Sequence, residues 1–87
     1  PLFINGRGEF PEIIYNKLEH IVSAINVALK SIVSNLSIEL VKTNEEVNKD
    51  GENIVQVEVY SNRDGKRFLT KYESEGIKRI IWISIKC

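Results

Sequence analysis

The sequence predicts an α+β fold in one small domain, and three observations predict it. Apolar residues recur at spacings of three and four between Pro11 and Val33, the period then changes to two from Leu36, and turn-forming residues separate the alternating runs. The expected architecture is one long N-terminal amphipathic helix packed on a three-stranded antiparallel sheet, followed by a C-terminal helix or strand. The 87 residues allow one domain and no second, because a typical domain takes roughly 100–150.

The helix is the clearest element. Pro11 suits a first helical position, and Glu12 sets an acid beside the positive end of the helix dipole. Ile14, Leu18, Ile21, Ile25, Leu29 and Ile32 then draw one apolar stripe, with Val22, Ala28 and Val33 beside it. Glu12, Asn16, Glu19, Ser23, Asn26 and Lys30 take the opposite face, and Ser34-Asn35 marks the stop. A rod from Pro11 to Val33 is about 35 Å long at 1.5 Å per residue. Its stripe needs a sheet, another helix or a second copy of the chain to cover it.

Leu36, Ile38 and Leu40 alternate with Ser37 and Glu39, which predicts a strand with one buried face. Residues 44–53 are polar, contain Asp50-Gly51, and read as a loop. Val55, Val57 and Val59 make the second strand, Asn62-Arg63-Asp64-Gly65 a turn, and Phe68, Thr70 and Tyr72 the third strand. The three form an antiparallel meander.

The segment from Ile77 to Lys86 fits two readings. Ile77, Ile80, Ile81 and Ser84 share a helix face, while Ile81, Ile83 and Ile85 alternate with Trp82 and Ser84 as a strand would. The flanks favour helix: Ser74 is a good N-cap, Glu75 lies near the positive dipole end and Lys86 near the negative one.

Composition narrows the function. Hydrophobic residues are 43% and charged residues 28%, the balance of a folded chain. The net charge of zero argues against nucleic-acid or membrane binding driven by charge alone. It conceals a segregation, for residues 1–62 carry 5 basic and 9 acidic side chains and residues 63–87 carry 7 and 3. That basic tail suits an anion, an acidic neighbouring subunit, or nothing beyond solvent. No apolar run reaches a membrane span of about 18 residues, and the single cysteine, Cys87, has no partner for a disulfide or a metal pair. A reducing, cytoplasmic setting is expected.

Residue types for catalysis are scarce. His20, the one histidine, reads as a partly exposed helix residue, and Cys87 as a terminal thiol. Gly6-Arg7-Gly8 is too short for a phosphate loop and reads as a surface turn. Glu45-Glu46 and Asp50 read as solvated loop carboxylates. One stretch stands out. In Lys71-Tyr72-Glu73-Ser74-Glu75-Gly76-Ile77-Lys78-Arg79-Ile80-Ile81, a serine and a glycine open the expected helix, where a hydroxyl and free N–H groups can meet an anion.

That stretch, after a long helix, a strand, a polar loop and a hairpin, resembles the second lobe of SMC-like ABC ATPases. It is most similar to the bacterial overcoming-lysogenization-defect and abortive-infection (phage-defence) ATPases. The resemblance spans about Glu12 to Ile81, and its specific part is Lys71 to Ile81, helped by Ile25-Asn26 and Ser61-Asn62-Arg63. It implies that Ser74 is the signature serine, which touches the γ-phosphate of a nucleotide held by another subunit, and that Gly76 is the second signature glycine. Glu75 stands where the first glycine is usual, and Lys78 lies on the signature helix, near phosphate or partner. ATP and Mg are implied only for a complete ATPase and neither is bound by this chain alone, which has no Walker A lysine, Walker B aspartate, catalytic glutamate or switch histidine. The chain then reads as a fragment of a larger ATPase lobe or a truncated product. Its expected partners are a second copy or the remainder of that ATPase. The alternative is a standalone interaction module that homodimerises through its helix or an edge strand without nucleotide. A small enzyme with its site at a dimer interface is the third reading.

Overall fold

The computed structural model describes residues 2–86, without the side chain of Lys86. Cys87 lies outside them, and with it the expectation of a terminal thiol. The elements run α1 (Leu2–Asn5), β1 (Arg7–Pro11), α2 (Glu12–Ile32), β2 (Leu36–Val47), β3 (Asn53–Arg63), β4 (Lys66–Leu69), a 3₁₀ turn (Thr70–Tyr72) and α3 (Glu75–Lys86). The fold is α+β, with an antiparallel sheet of four strands where three are expected.

The long helix forms where the stripe places it. Leu18, Val22, Ile25 and Leu29 are buried, and they pack with Leu36, Ile38, Val59 and Ile81 into one core. α2 and α3 therefore share one face of the sheet. Leu29 has no exposure at all, and Leu29→Ala would cost about 2–5 kcal/mol. The outer part of the stripe is left open, with Ile21 and Ile32 exposed. Pro11 is not the first helical residue; it closes β1 and occupies the N-cap position of α2. Asn26 is also not on a solvated face, since its carboxamide is part-buried against β2.

β3 is the central strand. β2 pairs with it from Leu36↔Arg63 to Val47↔Asn53, so the meander of β2, β3 and β4 is as expected. Asp64 and Gly65 supply the two positive φ values, 55° and 76°, that a two-residue hairpin turn needs. The other edge of β3 is shared end to end by β1, along Ile54–Glu58, and by β4, along Tyr60–Arg63. The Gly6 carbonyl accepts the Val59 N–H between them (2.9 Å).

β1 corrects the reading of Gly6-Arg7-Gly8 as a surface turn. Gly6 makes the turn at φ +84°, where a Cβ would also lie 3.2 Å from Thr70 Oγ1. Gly8 is in the strand, and a Cβ there would strike the Phe10 ring at 2.6 Å. The Phe10 ring thus fills the place of the missing side chain. Two glycines and a proline give no alternation, so pairing with β3 alone makes this strand.

Two boundaries also move. The expected loop over residues 44–53 shrinks to residues 48–52, because β2 continues to Val47. Its residues beyond Lys42 are exposed on both faces, so no alternation marks them. The third strand ends at Leu69, and Thr70–Tyr72 turns into α3. The ambiguous last segment is a helix: Ile81 is fully buried and Ile77, Ile80 and Ile85 pack beside it, while Ile83 is 52% exposed. A strand would have put Ile81 and Ile83 on one side.

Candidate anion-binding turn at the start of helix α3

The turn is built from the end of β3. Val55, Val57 and Val59 face the helices, and Ser61 follows them on that face, fully buried. A polar side chain there needs a partner. Ser61 Oγ donates to Glu73 Oε2 at 2.7 Å. Arg63, two residues on, donates from Nη2 to Glu73 Oε1 (2.8 Å) and from Nε to Oε2 (3.3 Å), a two-pronged grip. The Glu73 side chain is 1% exposed, and its Oε1 also accepts the Ser74 N–H at 3.0 Å. Burial by itself would raise the Glu73 pKa. The hydrogen bonds from Arg63, Ser61 and the Ser74 N–H outweigh it and hold the carboxyl below its ordinary range.

This carboxylate fixes where α3 begins. Ser74 Oγ accepts the Ile77 N–H at 3.2 Å and the Ser74 carbonyl accepts the Lys78 N–H at 2.9 Å, the arrangement of an N-cap. The N–H groups of Glu75 and Gly76 belong to the first turn and have no intrahelical acceptor. Nothing lies within 4 Å of where a Gly76 Cβ would sit, and its φ is not positive. Neither packing nor backbone strain requires glycine there.

The four candidate residues, Ser74, Glu75, Gly76 and Lys78, thus lie together on one helical turn. Glu75 is exposed, and Lys78 is drawn back along the helix, its Nζ 3.6 Å from Glu75 Oε1. Lys78, Glu75, Arg79, Trp82 and Ile4 line a shallow groove beside the turn. Three cations of the basic tail meet acids within the chain: Arg63 with Glu73, Arg67 with Glu39 and Lys78 with Glu75. His20 is exposed on α2, and among the described residues no group of three or more His, Cys, Asp or Glu side chains could hold a metal ion.

Sequence reasoning missed Glu73 and its partners as a unit. The available signal was Ser61, a hydroxyl continuing the buried alternation of Val55, Val57 and Val59. Among the described residues no helix is long and apolar enough to cross a membrane. No family model matches the chain, and neither a curated protein nor a solved structure does so.

Proposed function

We propose that the chain is a non-catalytic signature-lobe piece of an ABC-type ATPase. Ser74 and the N–H groups of Glu75 and Gly76 then meet the γ-phosphate of ATP bound by another subunit, with Mg and the hydrolytic groups supplied elsewhere. The observation that carries the reading is Gly76. Glycine in a helix costs about 1 kcal/mol relative to alanine, and the space around this one is empty within the chain. A glycine with no internal reason suits close approach by a ligand. The buried Glu73 latch supports the same reading, because it holds the turn in place before any phosphate arrives.

Because the nucleotide belongs to the other subunit in this reading, the test looks for weak contact only: an amide NMR titration of the chain with ATP up to tens of millimolar. Shifts that grow without saturating, confined to residues 74–78 and lost when Gly76 is replaced by leucine, are expected. A turn whose amides do not respond would overturn the reading. The second reading, a self-pairing module without nucleotide, is favoured by the uncovered edge of β2.

A further inference from the structure

β2 ends the strand order of the sheet, and its outer edge is not bordered by another strand among the described residues. Ile38 pairs with Ser61 of β3, yet the Asn26 side chain bonds both its N–H and its C=O. Both groups therefore point away from β3. Alternation turns the main-chain groups of Leu40 and Lys42 outward as well. A bulge between Lys42 and Asn44 then adds one residue, so that Glu45 and Val47, opposite Val55 and Asn53, hold the next outward positions.

We propose that this edge pairs with the same edge of a second copy, antiparallel about a two-fold axis passing between Thr43 and Asn44. Leu40 of each copy then faces Val47 of the other, and Lys42 faces Glu45. Four observations select that occupant. The outward residues step by two except across the bulge, where they step by three. A regular strand falls out of phase there, whereas a reversed copy has the same step at the same place. The charges are self-complementary: Lys42 and Glu45 stand on one face, 3.8 Å apart and both part-exposed, and the axis sets each against its opposite. Val47, 65% exposed, meets Leu40 at the fringe of the core. In this register Ile38 would face residue 49, beyond the end of β2, and Asn26 closes the edge at that point. The pairing is isologous and adds about eight main-chain hydrogen bonds, two for each outward pair. Both helix layers come to lie on one side of a continuous sheet.

An edge contact of this size belongs to the weak class, so the test is sedimentation equilibrium of the full chain at high micromolar concentration. Self-association is expected. Lys42→Glu and Glu45→Lys, each with an unchanged circular dichroism spectrum, should weaken it about tenfold or more, since like charges then face each other. A one-to-one mixture of the two variants should recover a heterodimer. Lys42→Glu also loses the position over the Tyr15 ring, which the mixture controls for. A chain that stays monomeric, a dimer indifferent to both substitutions, or a mixture that does not associate would each overturn the proposal. Should either variant fail to fold, the wild-type chain still decides. Its amides at Leu40, Lys42, Glu45 and Val47 must gain exchange protection with concentration, and unchanged protection would overturn the pairing.

Discussion

The Asn26 carboxamide donates to the Ile38 carbonyl (2.9 Å) and accepts the Ile38 N–H (2.8 Å), so one helical side chain takes the place of a neighbouring strand. A carboxamide suits this because it carries a donor and an acceptor side by side. The contact ties the middle of α2 to the first half of β2.

Asn26→Ala should therefore destabilise the fold by about 1–3 kcal/mol, the cost of leaving part-buried main-chain groups unpaired. Asn26→Asp keeps the acceptor and loses the donor, setting a carboxylate against the Ile38 carbonyl, and should fare no better. Urea unfolding followed by circular dichroism measures both. A loss below a few tenths of a kcal/mol would show that water replaces the amide fully.

Acid should loosen the start of α3. The Glu73 carboxyl has a folded-state pKa below its ordinary value of 4.5. Its ionised form then contributes stability that is present above pH 4.5 and is lost as pH falls through the lower, folded value. The wild-type unfolding midpoint should decline over that window, and Glu73→Gln should flatten the decline. Removing the carboxylate altogether, in Glu73→Ala, leaves Arg63 and Ser61 unpaired and should cost about 3 kcal/mol. An identical acid profile in wild type and Glu73→Gln would assign the loss to other carboxylates, such as Glu39 and Glu58.

Two substitutions two residues apart should act in opposite directions. Ser74→Ala removes the cap and should cost about 1 kcal/mol. Gly76→Ala meets no neighbour and keeps an allowed backbone, so it should stabilise by about 0.4–1 kcal/mol. Thermal unfolding of the two variants gives both signs. A destabilising Gly76→Ala would mean that the glycine has a packing role within the chain.

The chain alone should not turn over ATP. Its sequence supplies no phosphate-loop lysine and no carboxylate set for metal and attacking water. A phosphate-release assay with Mg and ATP should match the blank, and turnover that disappears in Ser74→Ala would overturn the signature-lobe reading.

Elements with a repeating burial pattern were legible in the sequence, and elements made by pairing were not. The stripe from Ile14 to Ile32 and the valines of β3 each name a buried face. β1 has glycine at two of the positions in and beside it and exists through the ladder to β3. The far end of β2 is exposed on both sides, so its side chains carry no period. At the candidate turn, the Ser74 cap was legible because capping is local. Glu73 was not, because its partners Ser61 and Arg63 lie 12 and 10 residues away and meet it only once the hairpin closes. The choice of helix for α3 rested on flanking residues, and burial of Ile81 under α2 decided it.

The end-to-end sharing of one edge of β3 by β1 and β4 has a kinetic consequence. β4 joins β3 through a two-residue turn, whereas Arg7 reaches Glu58 across 51 residues. Closing the longer span loses more chain entropy and is rewarded only after β3 exists as a template. The meander with α2 should assemble first, and the segment formed by α1 and β1 should dock last. In native-state hydrogen exchange that segment should then open at a lower free energy than the β2–β3 ladder, as a separate cooperative unit.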